Sequence, residues 1–250
     1  MGKPILLLRL EGPLQSWGAR SRWDVRDTQP EPTKSGIIGL LGCALGYERG
    51  DRRLEEELDT GLRFGVRTEA PGRVLEDFQT ITDFLPTAAG DFKVLGGTKS
   101  VAALRSDPAA RPATILSPRF YLEDAAFLVA LEAGTPAGPE LLPRCAAALQ
   151  RPVWPLFLGR KTCIPTRPIF EALTDTYENL EAALEHHAWS WLGASRTPRR
   201  PTRPQTLTAF VEDPNGPLLR QDALRLNAAR LYGFRQAKKL TLSQKNETPD

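Results

Sequence analysis

Two short segments carry the residue types that hold a phosphate group. Thr33-Lys34-Ser35-Gly36 stands at a predicted helix start, where two hydroxyls, a cation and free amide groups could surround an anion. An ordinary helix N-cap without a ligand is the competing interpretation. Gly159-Arg160-Lys161 places a glycine and two adjacent cations directly after an apolar stretch. Either a solvated turn or close approach to an RNA strand would explain this second pattern.

A third segment combines aromatic and guanidinium groups. The predicted loop after the first strand contains two tryptophans and three arginines, namely Trp17, Trp23, Arg20, Arg22 and Arg26. Single-stranded RNA is held by stacking of its bases on aromatic rings together with guanidinium contacts. The loop is therefore a candidate RNA contact, whereas the remaining three tryptophans are expected in the core or at an interface.

Other kinds of site chemistry are not supported by the residues. Gly97-Thr98-Lys99-Ser100 is close to a phosphate-binding loop, but Thr98 separates the glycine from the lysine, so nucleotide hydrolysis is rejected. His186 and His187 are adjacent on a predicted helix, where metal ligands would stand three or four residues apart. Three cysteines far apart in sequence argue against a zinc site or a disulfide framework. We expect no metal, no cofactor and no catalytic residue.

The distribution of charge favours a nucleic-acid partner. Of the 33 basic residues 25 are arginines, which suit phosphates and base edges, although a high-GC genome would give the same excess. Residues 192–250 contain 11 basic and five acidic side chains, whereas residues 1–191 contain 22 and 25. The basic end opens with four arginines among prolines, from Arg196 to Arg203, which predicts an extended basic arm or loop.

The apolar pattern predicts a mixed fold with helices and strands around a sizeable core, since 41% of the residues are hydrophobic and 25% are charged. The predicted order is a strand at 5–10, a helix at 33–46, a strand at 62–68, a strand at 125–131, a helix at 139–149 and a strand near 152–158. This βαββαβ order is typical of a ferredoxin-like or RRM-type fold. A helix at 177–191 and late strands at 206–211 and 229–240 follow.

Two stretches need a special explanation. Four glycines recur in the first helix, Gly36, Gly39, Gly42 and Gly46. Each costs a helix about 1 kcal/mol relative to alanine, so we expect them to let the helix approach a sheet closely. Residues 86–112, between strand-like segments at 74–85 and 114–122, are too many for a compact turn, which indicates a protruding hairpin or an ordered functional loop.

The segments LRLEGPLQSWG at residues 8–18 and PTKSGIIGLLG at residues 32–42 together resemble the CasD family. That family is the subunit of the type I-E CRISPR complex Cascade that binds the 5′ handle of crRNA. Residues 77–80, 119–127 and 157–165 follow in the family's order. The resemblance covers residues 3–170 and continues weakly to the C-terminus.

The resemblance implies an α+β structure. A modified ferredoxin-like (RRM-type) domain would span residues 1–170, with a long β-hairpin thumb at about 76–121. A smaller β-containing C-terminal region at 171–250 would hold an acidic helix, the basic proline-rich loop and the late strands.

The implied function is that of a non-catalytic RNA-binding subunit of an antiviral surveillance complex, which grips the crRNA 5′ handle and caps the backbone filament. Implied partners are the crRNA, the Cascade backbone subunits and the large PAM-recognising subunit. Target DNA would be met only indirectly, because guide pairing reads its sequence.

Carried over residue by residue, the family pattern marks a set of RNA-contacting positions. They are Gln15, Trp17, Gly18, Arg26, Thr28, Thr33, Lys34, Ser35, Gly36, Lys99, Ser100, Arg119, Gly159, Arg160 and Lys161. Arg20 and Arg22 join the predicted site from the composition of their loop. Relatives often have histidine where this chain has Gln79, so a general-base role is not expected at that position.

The alternative function is a metal-independent endoribonuclease that processes precursor crRNA, as relatives in type I-C systems do. Such chemistry needs a positioned base and acid around the 2′-hydroxyl. No histidine precedes His186, so the reaction would depend on Tyr47 with Lys93 or Lys99. A third hypothesis is an RRM-like RNA binder outside CRISPR systems.

The sequence predicts a cytoplasmic protein without a membrane contact. Its longest uncharged apolar stretch, Gly36 to Tyr47, has twelve residues, whereas a bilayer needs about 20. The first residues do not have the pattern of a signal peptide.

Overall fold

The structure is a computed structural model that describes residues 2–18, 25–134, 138–193, 202–226 and 232–243. It is a mixed α and β structure in which sheet predominates over a few helices. The chain divides into two units, one of residues 1–19, 28–75 and 121–250 and the other of residues 20–27 and 76–120. No helix in the described part of the chain is long and apolar enough to cross a membrane.

The described residues include twelve strands and four α-helices. The strands are β1 (Ile5–Glu11), β2 (Leu14–Gln15), β3 (Leu62–Ala70), β4 (Arg73–Asp83), β5 (Phe92–Val94), β6 (Gly97–Lys99), β7 (Ala113–Glu123), β8 (Ala126–Ala133), β9 (Phe170–Thr174), β10 (Thr206–Glu212), β11 (Leu218–Leu224) and β12 (Tyr232–Ser243). The helices are α1 (Lys34–Leu45), α2 (Val101–Arg105), α3 (Leu141–Gln150) and α4 (Leu180–His186), and a π-helical segment spans Leu54–Asp59.

A seven-stranded sheet organises the first unit, in the order β11-β12-β10-β3-β8-β1-β9. Its central strand pairs are antiparallel, with Leu8 of β1 opposite Val129 of β8. Both faces of β1 are buried: Leu6 and Leu8 face one core cluster, whereas Ile5 and Leu7 face another. Coverage on both faces explains why β1 is a continuous apolar run rather than an alternating one.

Helices cover the two faces of this sheet. Helices α1 and α3 contribute to the larger core cluster, and α4 contributes Leu180 and Leu184 to the smaller one. Helix α4 begins where the Asn179 side chain accepts a hydrogen bond from the Ala182 amide. It is shorter than the predicted helix at 177–191, because the chain is extended at His187.

The prediction of a strand near residues 152–158 is wrong. Pro152 and Pro155 have no amide hydrogen to give to a ladder, and the Val153 amide donates instead to the Ala44 carbonyl at the end of α1. The strand that follows α3 along the chain is β9. The boundary predicted between residues 170 and 171 falls inside β9, and the division of the chain there stays a prediction.

The second unit contains most of β4 and β7 and all of the short hairpin β5–β6. Strands β4 and β7 are neighbours in a three-stranded sheet, and the Thr82 and Thr114 hydroxyls lie 2.9 Å apart across them. Residues 76–120 of this unit overlap the range predicted for the thumb, and the assignment of this range as a thumb stays a prediction.

The glycines of α1 do not approach a sheet, so that expectation is wrong. A Cβ at Gly36 would lie 2.9 Å from the Trp17 ring, and one at Gly42 would lie 2.2 Å from the Leu54 side chain. Gly46 ends the helix in the left-handed conformation, with φ of 75°. Gly39 is exposed and has no neighbour within 4 Å of a Cβ.

Replacing Gly39 by alanine should raise the free energy of unfolding by up to about 1 kcal/mol, because the helical glycine has no packing reason to be there. Urea denaturation measures the change. Gly42→Ala is the matched control, since its methyl group would meet Leu54 and should remove the gain. Equal stabilisation by both substitutions, or a loss at Gly39, would contradict this description of the helix.

Candidate nucleic-acid interface

The candidate interface is built where the turn at residues 158–163 meets the loop at residues 15–18. The Ser16 amide donates a 3.0 Å hydrogen bond to the Leu158 carbonyl. Gly159 has φ of 96°, and a Cβ at this position would lie 1.8 Å from the Ser16 carbonyl oxygen. Only glycine fits both the backbone conformation and this contact, so the sequence Gly-Arg-Lys has a geometric reason.

The two cations of this turn have different surroundings. The Arg160 guanidinium carbon lies 4.7 Å from the centre of the Tyr121 ring, a cation–π contact that orients the side chain. Lys161 is exposed. Backbone hydrogen bonds from Cys163 to Arg160 and from Leu158 to Cys163 close the turn at 2.9 and 2.8 Å. The arrangement presents two positive charges from a turn with fixed ends.

The buried side chains of Gln15 and Trp17 stabilise the loop at residues 15–18 and are not accessible to RNA. Trp17 is 1% exposed and Gln15 is fully buried. The Trp17 indole donates to Gln15 Oε1 at 3.0 Å, while Gln15 Nε2 donates to the Leu10 and Ala125 carbonyls. The base-stacking role predicted for Trp17 is therefore wrong, because the ring packs in the core and against Gly36.

Gly18 and Thr28 extend this loop. The Thr28 hydroxyl accepts a 2.9 Å hydrogen bond from the Trp17 amide, and the Gln29 amide donates to the Trp17 carbonyl at 2.8 Å. Gly18 is exposed at the end of the described part of the loop. Arg20, Arg22 and Trp23 lie outside the described residues, so their predicted RNA contacts stay predictions.

The start of α1 is capped by the protein itself, which confirms the N-cap interpretation. The Thr33 hydroxyl accepts from the Gly36 amide at 3.2 Å, and Asp222 Oδ2 accepts from the Lys34 amide at 2.8 Å. Arg235 in turn holds both oxygens of Asp222 at 2.7 and 2.9 Å. The place that a phosphate would take at this helix start is held by a carboxylate.

Lys34 is not available as a phosphate-binding cation. The residue is 4% exposed, and its amine donates to both carboxylate oxygens of Glu212 at 3.0 and 2.9 Å. The prediction for its side chain is wrong, because the charge is neutralised by a strand 178 residues further along the chain. Ser35 and Gly36 are half-buried beside it.

Four of the predicted residues that the structure describes lie in the second unit. Lys99 pairs with Asp107, and the Ser100 hydroxyl caps α2 by accepting from the Ala103 amide. Arg26 and Arg119 are bridge partners in a parallel arrangement, with the Phe120 amide donating to the Arg26 carbonyl at 2.9 Å. The backbones of Arg26 and Arg119 are therefore neighbours in this unit.

Sequence reasoning missed the residues that organise the interface from a distance. Tyr121 orients Arg160, and Asp222 with Glu212 closes the start of α1. A strand position near the end of β7 gives no local sign that its ring will meet a turn 39 residues later. Acids in late strands likewise give no local sign of their partners.

Replacing Gly159 by alanine should lower the free energy of unfolding by about 2 to 3 kcal/mol, because the new methyl group adds backbone strain and a clash with Ser16. Differential scanning calorimetry or urea denaturation measures it. Gly90→Ala is the control for strain alone, since Gly90 has φ of 86° and no neighbour within 4 Å. A loss at Gly159 no larger than that at Gly90 would contradict the close approach.

Comparison with known proteins identifies the family. Residues 5–236 match the family model described as CRISPR-associated protein (Cas_Cas5). The chain is 33% identical over 182 residues to the CRISPR system Cascade subunit CasD of Escherichia coli strain K12, which covers 72% of this chain and 76% of that protein. A crystal structure of a Cas protein is similar with a TM-score of 0.63 and 32% identity, covering 96% of this chain and 95% of that one. A chain of a CRISPR RNA-guided surveillance complex is similar with a TM-score of 0.64 and 28% identity, covering 96% and 90%. This chain therefore belongs to the Cas5 family of CRISPR-associated proteins.

Proposed function

We propose that this protein is a non-catalytic RNA-binding subunit of a type I-E CRISPR surveillance complex, where it grips the 5′ handle of crRNA and caps the backbone filament. The observation that carries the proposal is the docked turn with Arg160 and Lys161, fixed against the loop at 15–18 by the backbone of Gly159. The similarity to a Cascade subunit supports it.

The chemistry of this turn suits a sugar–phosphate backbone. A guanidinium oriented by an aromatic ring offers fixed donors to phosphate oxygens, whereas an exposed lysine contributes a mobile point charge. Contacts of this kind position a nucleic acid without reading its bases. Of the predicted RNA-binding residues in the first unit, Gly18, Thr28, Gly159, Arg160 and Lys161 are the ones that keep this role.

We also propose that the first unit contains a ferredoxin-like, RRM-type core. Strands β3, β8, β1 and β9 are adjacent and antiparallel in that order, and α1 and α3 connect them in the sequence β1-α1-β3-β8-α3-β9. This order and these directions support a ferredoxin-like, RRM-type core. The second unit would be the thumb that folds over the guide, and Lys99, Ser100, Arg26 and Arg119 would contact RNA from it.

The proposed partners are crRNA, the Cascade backbone subunits and the large PAM-recognising subunit, with target DNA met indirectly through the guide. The structural similarity to a chain of a CRISPR RNA-guided surveillance complex, which covers 96% of this chain, supports the proposal that the protein acts within a complex. We infer a cytoplasmic location and no cofactor. The described residues contain no group of three or more histidines, cysteines or acids that could hold a metal ion.

The alternative, an endoribonuclease that depends on Tyr47, is disfavoured by the surroundings of that residue. Tyr47 is 8% exposed, and its hydroxyl donates to Glu57 Oε2 at 3.0 Å. Burial raises the pKa of Tyr47, and the hydrogen bond to Glu57 raises it further. A phenol with a raised pKa stays protonated at neutral pH, so it does not supply the base that RNA cleavage needs.

Replacing Arg160 and Lys161 by alanine should weaken binding of a handle RNA by about tenfold at low salt, because two charge-assisted contacts are lost. The slope of log K against log salt concentration should also fall by about 0.7 for each lost phosphate contact. Fluorescence anisotropy with a labelled 5′-handle oligonucleotide measures both quantities.

Arg49→Ala with Arg52→Ala is the matched control for that experiment. It removes the same charge from exposed positions outside the turn, so the affinity should change little. Binding and slope that are unchanged in the Arg160/Lys161 variant, or reduced equally in both variants, would remove the turn from the RNA interface.

Purified protein should leave a labelled repeat RNA intact in the absence of metal, because Tyr47, on which the alternative depends, is buried and donates its hydroxyl hydrogen to Glu57. Gel electrophoresis over several hours tests this, with a Tyr47→Phe variant alongside. Cleavage by the natural chain that disappears in Tyr47→Phe would overturn the non-catalytic role.

A further inference from the structure

Strand β4 is an edge strand of the three-stranded sheet β2-β7-β4. It is eleven residues long, and among the described residues no strand pairs with its outer side. The row of backbone amides and carbonyls along such an edge is a template on which another strand can form. We propose that residues 76–83 of β4, which belong to the second unit, receive an extended segment of a partner protein as an added strand.

The other sheet edges in the described part of the chain have features that hinder strand addition. Strand β11 contains Arg220 and Asp222, and its register shifts between Arg220 and Ala223. Strand β9 has five residues, and β2, β5 and β6 have two or three. Charges, bulges and short length keep an edge from pairing with another chain. The centre of β4, FQTIT at residues 78–82, contains no charge and no proline in the longest of these edge strands.

Apolar side chains are exposed on both faces of this edge. The Thr82 and Thr114 hydroxyls lie 2.9 Å apart, so Phe78 on β4 and Leu116 on β7 share their face of the sheet by alternation. Phe78 is 61% exposed and Leu116 is 52% exposed. Ile81 is 38% exposed and lies on the opposite face by the same alternation. An added strand would therefore bury apolar surface on both faces as well as pairing the backbone.

Acidic residues flank the uncharged centre of β4. Glu76 and Asp77 precede it, and Asp83 follows it. Asp77 accepts a hydrogen bond from the Gln79 side chain, and Asp83 accepts one from the Phe84 amide. The ion pairs of the described residues on either side of this segment, at residues 73 and 99, do not involve these three carboxylates. Basic residues at both ends of a partner strand would complement this charge.

Charge also separates a partner protein from other occupants. Residues 76–83 contain three acids and no basic residue, so a phosphate backbone would be repelled. Antiparallel pairing with a second copy of β4 centred on Thr80 would set Asp77 opposite Asp83, and parallel pairing in register would set each acid opposite itself. The segment that fits has an uncharged centre rich in β-branched residues and basic residues at both ends. The inference goes beyond the proposed RNA-binding role and does not depend on the turn at Gly159.

The test uses the full-length chain and a fluorescein-labelled peptide with the sequence Lys-Arg-Val-Thr-Val-Thr-Val-Lys-Arg. Fluorescence anisotropy should show saturable binding with a Kd of roughly 0.1 mM. Binding should fall at least tenfold when glutamate replaces the basic residues of the peptide, because like charges would then meet at both ends. It should fall as much when the five central amides of the peptide are N-methylated, because they could no longer donate to β4.

Hydrogen exchange followed by mass spectrometry locates the bound peptide. Amide exchange should slow severalfold in fragments that cover residues 76–83, because the outer side of β4 then gains a hydrogen-bonded partner. Exchange in fragments that cover β11, the edge with charges and a register shift, should not change.

Phe78→Ser should weaken peptide binding severalfold, because less apolar surface is buried on one face of the edge. Leu95→Thr is the matched control, since it changes another apolar residue of the second unit, 75% exposed, that lies outside β4. It should bind the peptide as the natural chain does.

Glu76→Gln with Asp83→Asn should also weaken binding severalfold, because the ends of the basic peptide lose their acidic partners. Asp175→Asn with Glu178→Gln removes the same charge from exposed positions of the first unit and should leave binding unchanged. Both acids of the test variant are exposed, so this variant keeps the test valid if Phe78→Ser does not fold. Circular dichroism establishes folding.

Several results would overturn the proposal. They are the lack of saturable binding, equal binding of the glutamate or N-methylated peptide, protection only outside residues 76–83, and undiminished binding by the folded variants. A dimer in sedimentation equilibrium that the peptide dissociates would assign the edge to a second copy instead. Slowed exchange at residues 76–83 caused by a single-stranded RNA alone would assign it to a nucleic acid.

Discussion

The close approach of Gly159 to the Ser16 carbonyl is the constraint on which the candidate interface depends. The turn contacts Ser16 through its backbone, so no flexible side chain can adjust the contact. The turn fits because glycine has no Cβ, which would clash with the Ser16 carbonyl oxygen. Once the turn is docked, Arg160 meets Tyr121 and Lys161 remains exposed. The backbone of the turn and the Arg160 guanidinium thereby acquire a fixed location relative to the sheet, which a flexible loop would not give them.

The ion pairs at the start of α1 stabilise the fold and do not leave this helix start free to bind an anion. Lys34 and the amide end of α1 have the chemistry of an anion site, yet Glu212 and Asp222 satisfy them from late strands. Removing a charge from water is costly, and each of these groups is stabilised by a partner within hydrogen-bond distance. The C-terminal strands are thus held to the first helix by charge and to β3 by sheet pairing. In the turn at Gly159, by contrast, Lys161 is exposed and Arg160 is half-buried.

The local sequence pattern is sufficient to predict the central strands and helices. It is not sufficient to predict which distant residues contact them. Strands β1, β3 and β8 and helices α1 and α3 follow from apolar runs and periodicity, because those signals depend on neighbouring residues. The segment at 152–158 misled because its apolar residues satisfy the pattern while its prolines cannot join a ladder. Burial of Trp17 and the pairing of Lys34 with Glu212 depend on contacts between distant parts of the chain, and no spacing rule contains that information.

The most direct measurement of the central claim is photo-crosslinking in the assembled complex. A crRNA with 4-thiouridine placed in its 5′ handle would be irradiated within the complex, and the crosslinked peptides of this chain would be identified by mass spectrometry. The account predicts crosslinks in the peptides that contain residues 159–161 or 15–18. Crosslinks confined to other subunits, or to α3 and α4 of this chain, would contradict it.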